Sequence, residues 1–151
     1  MSTPQLAQPG DTVAVASDHA GVELKAVVAT ELTAMGFKVA DLGTNNAQSV
    51  DYPDYGKALA EHVAAGKAKA GVAVCGTGIG ISIAANRVPG IRAVLAHDAY
   101  TAQMGREHND GNILAMGARI LGADVAKHLV RTFFTTSFGG GRHTGRVAKL
   151  G

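Results

Sequence analysis

The only cysteine of the chain, Cys75, stands at the end of an apolar run and is followed by alternating glycines. Residues 72–82 read VAVCGTGIGIS, which predicts a buried strand, a loop with little side-chain bulk and the beginning of a helix. The N–H groups at a helix N-terminus can stabilise an oxyanion, and they favour thiolate over thiol. The stretch therefore indicates a thiolate base or nucleophile beside an oxyanion site. The alternative is a small, inert, buried cysteine in a tight turn.

The glycines of this loop do not form a nucleotide-binding motif. They are spaced G-x-G-x-G, whereas a dinucleotide loop has G-x-G-x-x-G and an ATP loop ends in Gly-Lys-Ser/Thr. The loop also follows the third apolar run of the chain and not the first. Nucleotide binding is therefore disfavoured, and we expect the loop to serve a smaller anion.

Five apolar runs of strand length alternate with five stretches of helical spacing. The predicted strands are residues 12–17, 37–43, 71–75, 92–97 and 112–117, and the predicted helices are residues 20–35, 54–66, 78–86, 98–107 and 123–134. Strict alternation, with strands apolar on both faces, predicts a three-layer α/β/α domain around a five-stranded parallel sheet. Because ligands of such sheets bind beyond the carboxyl ends of the strands, the polar residues after each run form the candidate site.

Length and composition predict one small cytoplasmic domain. The chain has 151 residues, and we expect a polar, mobile arm over residues 1–11 and a single domain over residues 12–151. The arm has the features of neither a signal peptide nor a transmembrane helix. A formal net charge of +2, with the basic residues scattered except toward the C-terminus, disfavours a nucleic-acid partner, and we expect no membrane partner either. A single cysteine excludes an intrachain disulfide and Cys-rich zinc patterns, which favours a reducing compartment.

Several long motifs give the chain a family resemblance. In chain order they are SDHAGVELK (17–25), DLGT (41–44), DYPDYG (51–56), CGTGIGISIAANRVPGIRA (75–93), HDAYTAQMGREHNDGNILAMGARILG (97–122) and GGRHTGRV (140–147). The sequence thereby resembles the B-type ribose-5-phosphate isomerases and their relatives that act on galactose, allose and tetrulose phosphates. The resemblance spans nearly everything from Thr12 to Val147. It implies a Rossmann-like fold and an aldose–ketose isomerase that works through an enediolate, without a metal or an organic cofactor.

The resemblance also implies a role for each matching residue. Cys75 would be the base that moves a proton between C1 and C2. Relatives use either a cysteine at this position or a glutamate further along the loop, and this chain has the cysteine and, further along, Ser82 with no carboxylate nearby. Asp18 and His108 would assist ring opening and proton transfer, with Asn109 beside them. The enediolate would be held by the backbone around Gly76, Thr77, Gly78 and Gly80. Of these four, Thr77 would also be a catalytic residue.

The phosphate and the distal hydroxyls would be bound by His19, Arg119, Arg142 and Arg146. In this family the site lies between two subunits, so the resemblance implies a homodimer or homotetramer with shared active sites. Arg142 and Arg146 are four residues apart, so on a helical turn they would share a face and could bind one phosphate. The alternative for this segment is a solvated basic end of the chain.

The remaining histidines carry weaker expectations. We expect His62 and His128 on the surface, and we expect Asp98, after His97, to cap a helix. A metal site built from His19, His97 and His108 is compatible with the spacing, but nothing in the local sequence demands it.

The leading hypothesis is the interconversion of ribose 5-phosphate and ribulose 5-phosphate. The first alternative is the same chemistry on a four- or six-carbon sugar phosphate or on a free sugar, since the loop over residues 44–52 is expected to set the pocket length. A further alternative is a non-catalytic sensor of sugar phosphates or nucleotides. Such a sensor would need the glycine loop and the arginines but no reactive thiol.

Overall fold

The computed structural model describes residues 5–151. Its strands are β1 (Thr12–Ser17), β2 (Lys38–Asp41), β3 (Ala70–Cys75), β4 (Ala93–Leu95) and β5 (Ile113–Gly117). Its α-helices are α1 (Val22–Ala34), α2 (Tyr52–Ala64), α3 (Ile79–Asn86), α4 (Ala99–Glu107), α5 (Ala123–Thr135) and α6 (Arg142–Ala148). A short 3₁₀ helix, His19–Gly21, leads into α1. Across residues 5–151, no helix is long and apolar enough to cross a membrane.

The five strands form one parallel sheet in the order β2–β1–β3–β5–β4. The predicted five-stranded α/β fold is therefore confirmed. The central strands β1, β3 and β5 are buried along nearly their whole length. The edge strands β2 and β4 are only partly buried, so the expectation of two buried faces holds for the central strands and is wrong for the edges.

The two faces of the sheet carry side chains of different size. The face toward α1, α4 and α5 presents mainly the branched or long side chains of Val13, Val15, Val72, Val74, Leu114 and Met116. The face toward α2 and α3 presents mainly the small side chains of Ala14, Ala16, Ala73, Cys75 and Ala115. Because successive strand residues point to opposite faces, this difference follows from the alternation of large and small residues in the sequence.

Small residues let α2 approach both its neighbours closely. A Cβ on Gly71 of β3 would lie 2.9 Å from Leu59 Cδ1 of α2, and a Cβ on Gly56 of α2 would lie 3.0 Å from the Ile81 carbonyl oxygen of α3. The layer that carries the N-terminus of α3 is therefore held tightly against the sheet. This packing fixes the position of the glycine loop that precedes α3.

The N-terminal segment packs against the domain from residue 5 onward. Ala7 is 2% exposed and belongs to the core on the α1, α4 and α5 face. The Gly10 N–H group donates to the Gly36 carbonyl oxygen at 2.8 Å. The expectation of a mobile arm is therefore wrong for residues 5–10, because an apolar residue of the arm is buried in the core. Residues 1–4 of that arm lie outside the described part of the chain.

Two helix ends agree with the sequence, which predicts that the first helix ends at residue 35 and that Asp98 caps a helix. Gly36 follows α1 with a φ of +94°, a conformation that glycine adopts without strain. Asp98 caps α4, because its Oδ1 accepts a hydrogen bond from the Thr101 N–H group at 2.7 Å. This bond is the main cause that lowers the pKa of Asp98, and the Thr101 hydroxyl adds to it. His128 is exposed, as expected, whereas His62 is half-buried.

Candidate active site

Cys75 ends β3 with its side chain on the α2 and α3 face, where it is 4% exposed. Its Sγ atom accepts a hydrogen bond from the Gly78 N–H group at 3.1 Å. Gly78 has a φ of +79°, and a Cβ there would lie only 2.8 Å from the Met116 carbonyl carbon of β5. Glycine is required here by both conformation and space. The loop thus places a backbone donor beside the thiol, as the glycine spacing predicts.

Thr77 lies at the turn of this loop and is held from two sides. A Cβ on Gly117 of β5 would lie 2.6 Å from the Thr77 carbonyl carbon, so the loop rests directly on the end of β5. His97, which follows β4, has its Nε2 atom 3.2 Å from the Thr77 carbonyl oxygen. The Thr77 hydroxyl accepts a hydrogen bond from the Ile79 N–H group at 3.2 Å, which leaves its proton for another acceptor.

Arg119 brings a positive charge to the same loop. Its backbone N–H group donates to the Gly76 carbonyl oxygen at 3.0 Å. Its guanidinium lies against Gly76, since a Cβ on that glycine would lie 2.9 Å from Arg119 Nη1. The side chain is exposed, so the cation is accessible to a ligand. Arg119 is therefore brought together with Cys75, Gly76, Thr77, Gly78 and Gly80.

Asp18 and His19 lie at the end of β1, which is the neighbour of β3. The Asp18 N–H group donates to the Val74 carbonyl oxygen at 3.2 Å, one residue before Cys75. Asp18 is 7% exposed, and its Oδ1 accepts from the Ala20 N–H group at 3.0 Å, which caps the 3₁₀ helix. Both residues therefore stand beside the glycine loop, as predicted.

The ring of His19 is oriented by the loop that follows β2. Its Nδ1 atom accepts a hydrogen bond from the Val50 N–H group at 3.1 Å. An amide N–H can only donate, so Nδ1 must carry a lone pair and the proton of the neutral ring lies on Nε2. His19 therefore offers an Nε2–H donor to a ligand.

Tyr52 also lies beside the glycine loop, and the sequence interpretation did not assign it to the candidate site. It is the first residue of α2, its side chain is 42% exposed, and its ring lies where a Cβ of Gly80 would point, at 2.6 Å from Tyr52 Cζ. The ring thus covers the N-terminal turn of α3. The signal was present in the motif DYPDYG, which begins one residue earlier and contributed only to the resemblance.

The other predicted site residues lie elsewhere. His108 is the C-cap of α4, and its ring stacks on that of His143 in α6, with centroids 4.3 Å apart. Asn109 follows His108, and α6 carries Arg142 and Arg146, both exposed. These residues form a second group, which we call the basic cluster: His108, Asn109, Arg142, His143 and Arg146.

The basic cluster stands at the amino end of the strands, whereas Cys75 stands at the carboxyl end. Arg92, which precedes β4, donates from Nε to the Asp110 carbonyl oxygen at 2.8 Å, so the end of α4 lies at the amino end of that strand. α4 begins beyond the carboxyl end of β4 and runs back along the sheet for nine residues, about 13 Å. A single chain therefore does not bring the cluster to Cys75.

Positive charge accumulates in the basic cluster. Desolvation lowers the pKa of His143, and the nearby positive charges of His108, Arg142 and Arg146 lower it further, while Glu107 opposes them. The sequence interpretation missed His143, although it stands between the two arginines. Such a cluster is suited to bind a dianion such as a phosphate group.

A buried arginine connects the segments that carry the basic cluster. Arg106 of α4 is 1% exposed and donates to Asp110 Oδ1 at 2.8 Å and to the Gly111 carbonyl oxygen at 2.7 Å. Its Nε atom donates to the Thr136 carbonyl oxygen at 3.1 Å. Arg106 thus joins the end of α4 to the segment that leads from α5 to α6. As for a metal centre, residues 5–151 contain no group of three His, Cys, Asp or Glu side chains arranged to hold an ion.

The family model for ribose/galactose isomerases matches residues 13–150. The chain belongs to this family. The isomerase is 44% identical to ribose-5-phosphate isomerase B of Escherichia coli over 138 residues, which cover 91% of this chain and 93% of that protein. It is 36% identical to D-erythrulose-4-phosphate isomerase of Pectobacterium atrosepticum over 141 residues, which cover 93% of each chain.

Solved structures support the same assignment. The structure of ribose-5-phosphate isomerase B of Clostridium thermocellum superposes with a TM-score of 0.91 at 50% identity, covering 93% of this chain and 95% of that chain. Type B ribose 5-phosphate isomerase of Trypanosoma brucei gives the same TM-score at 42% identity, covering 93% of this chain and 97% of that one. The protein is thus a sugar-phosphate isomerase with the Rossmann-like fold of this family, and it is an aldose–ketose isomerase.

Proposed function

We propose that this isomerase interconverts ribose 5-phosphate and ribulose 5-phosphate, with Cys75 as the base, in a site completed by a second copy of the chain. The observation that carries the proposal is the Cys75 loop, in which the Gly78 N–H group lies 3.1 Å from Sγ and the Arg119 guanidinium lies against Gly76. The choice of a five-carbon substrate is based on the relatives above that are named as ribose-5-phosphate isomerases.

The proposed chemistry is a proton transfer between two carbons. The Cys75 thiolate removes the C2 proton of the open-chain aldose, and the electrons move onto O1 to give an enediolate. The O2 proton is then transferred to O1, and the same thiol returns the proton to C1 as the C2 carbonyl forms, which gives the ketose. Each well-placed donor that stabilises such an oxyanion contributes roughly 3 kcal/mol, and the backbone N–H groups of the loop are suited to this role. Asp18 and His108 assist ring opening.

The distribution of charge supports a shared site. The half-site at Cys75 has Arg119 and His19 as binding groups, while four basic side chains stand at the opposite end of the sheet. About 13 Å of helix separates the two groups along one chain. A second copy related by a two-fold axis can present its basic cluster to the Cys75 of the first, and the reverse, so that two equal sites form.

The first test follows turnover and isotope exchange. The protein is incubated in D₂O with phosphorylated tetrose, pentose and hexose, and deuterium at C1 and C2 is followed by NMR. Turnover and exchange with ribose 5-phosphate are expected, and no exchange with any sugar would contradict an enediolate enzyme. Cys75→Ala should bind ribose 5-phosphate without turnover, whereas retained turnover would exclude Cys75 as the base.

The shared site is tested by mixing two inactive variants. Cys75→Ala destroys one half of the site, and the double variant Arg142→Ala, Arg146→Ala destroys the other. In a mixed dimer one of the two sites has both halves intact, so an equal mixture should regain about a quarter of the wild-type rate after subunit exchange. No recovery, with mixed dimers demonstrated by mass spectrometry, would show that both halves come from one chain.

A four-carbon sugar phosphate is the second candidate substrate. It is favoured by the relative from Pectobacterium atrosepticum, which is named for erythrulose 4-phosphate and is matched over 93% of each chain. The turnover measured in the D₂O experiment distinguishes the two candidate substrates, because kcat/KM is compared for the tetrose phosphate and the pentose phosphate side by side.

A further inference from the structure

Lys25 of α1 is buried although it carries a charge. Its side chain is 2% exposed. The Nζ atom donates to Asp41 Oδ1 and to Asn45 Oδ1, both at 2.6 Å. Burying an ammonium group is costly unless it is paired and hydrogen-bonded. Asp41 supplies the opposite charge, and Asn45 supplies a second acceptor.

Both acceptors belong to the segment that leaves the edge strand β2. Asp41 is the last residue of β2, and its Oδ1 also accepts from the Gly43 N–H group at 2.9 Å. The backbone of this segment continues along β1, since Ser17 N–H donates to the Gly43 oxygen at 2.8 Å and Thr44 N–H donates to the Ser17 oxygen at 2.9 Å. The Lys25 contacts therefore fix the segment where it passes Ser17, the residue before Asp18.

The same segment leads directly to the group that orients His19. Residues 45–49 are exposed, and Val50 then donates its N–H group to His19 Nδ1 at 3.1 Å. The exposed part has little burial of its own to define its path. Its position is determined by its two ends, which are the Lys25 contact at Asn45 and the hydrogen bond at His19.

We propose that Lys25 is a positioning residue for substrate binding. By holding Asn45 it fixes the loop whose Val50 N–H group sets the orientation and tautomer of His19. The role of His19 as a substrate ligand rests on the proposed function. The structural part of the inference, from Lys25 through the loop to the ring of His19, does not depend on it.

The test compares three variants. Lys25→Met keeps the apolar stem and leaves Asp41, whose side chain is 42% exposed, to be solvated by water. Asn45→Ala removes only the contact to the loop and keeps the Lys25–Asp41 pair. Lys57→Met is the matched control, because within residues 5–151 the one ion pair of Lys57 is an exposed contact with Glu61 at 3.9 Å. Circular dichroism and thermal melting verify that each variant folds.

The first readout is the tautomer of His19 in the protein without substrate, measured from its ¹⁵N chemical shifts. In the wild type and in Lys57→Met, Nε2 should carry the proton and Nδ1 should not. In Lys25→Met and Asn45→Ala, the two shifts should move toward those of a mixture of tautomers. An unchanged Nε2–H tautomer in folded Asn45→Ala and, where it folds, Lys25→Met would overturn the proposal.

The second readout is the kinetics with ribose 5-phosphate. Loss of one oriented donor to a charged ligand should raise KM about tenfold while kcat changes by less than about threefold. An unchanged KM in a folded variant whose His19 tautomer has become mixed would refute a role in binding. If the wild type does not turn over ribose 5-phosphate but the tautomer responds as described, the proposed function fails and the orientation of His19 by Lys25 stands.

Discussion

Replacement of Gly78 by alanine is expected to distort the Cys75 loop and to destabilise the domain. Two costs add. A residue with a Cβ at a φ of +79° costs about 1–2 kcal/mol in backbone conformation. The same Cβ would lie 2.8 Å from the Met116 carbonyl carbon and 2.8 Å from Leu95 Cδ1. Overpacking of this kind costs about 1–3 kcal/mol, and the Met116 contact is to backbone, which cannot rotate away.

The sum is about 3 kcal/mol, which for a domain of this size lowers Tm by about 10 °C. The kcat of the variant should also fall, by more than the loss of folded protein alone would cause. If the loop shifts by about 1 Å to relieve the clash, the Gly78 N–H group leaves Sγ and kcat falls about a hundredfold. Thermal unfolding by circular dichroism and kcat measured well below Tm give the two quantities separately.

Gly66 provides a matched control for the backbone cost. It follows α2 with a φ of +77°, and a Cβ there would have no contact within 4 Å in the described part of the chain. Gly66→Ala should therefore cost about 1–2 kcal/mol and leave kcat unchanged. If Gly78→Ala is no more destabilising than Gly66→Ala and keeps its kcat, the loop is not held against β5 in the way described, and the reasoning fails.

Three further outcomes are expected. Ser17→Ala should raise the free energy of unfolding, measured in urea, by about 1 kcal/mol, because the buried Ser17 hydroxyl has no hydrogen-bond partner among residues 5–151. A loss of stability would reveal a partner. Asp98→Ala should lower the free energy of unfolding at pH 7 by removing the α4 cap. This loss should narrow as the pH falls below 3.8, because the pKa of Asp98 is lowered in the folded protein and the contribution of its carboxylate is lost on protonation. The pKa of His143 is also lowered in the folded chain, so the unfolded state binds more protons and the free energy of unfolding should fall as the pH drops below 6.5. His143→Phe should show a smaller fall. Equal pH profiles of stability for the variant and the wild type would contradict the lowered pKa.

The local parts of this molecule could be predicted from sequence because short segments determine them. The Cys75 loop is an example, since an apolar run, a left-handed glycine and a helix start are all encoded within residues 72–82. The order of the strands could not be predicted, because a parallel crossover can add the next strand on either side of the sheet. The shallow burial of β2 and β4 depends on that order and was missed for the same reason.

The separation of the basic cluster from Cys75 is a different case. The resemblance assigned His108, Arg142 and Arg146 to one site with Cys75, and a single fold places them at opposite ends of the sheet. Alternation alone contains the signal, because a helix that follows a parallel strand runs back and its last residue lies at the amino end. His108, at the end of α4, could have been placed there from the sequence.

The difference between the two faces of the sheet determines which mutations the domain can tolerate. On the α2 and α3 side, Ala14, Ala73 and Ala115 have little side chain to truncate, and a Cβ on Gly71 would lie only 2.9 Å from a Leu59 methyl group. Enlargement is the harmful change on that face. On the opposite face, truncation of Val15, Leu114 or Met116 would open cavities. Random mutagenesis should therefore give opposite size preferences at neighbouring positions of one strand, and the face that rejects larger residues is the one that supports the Cys75 loop.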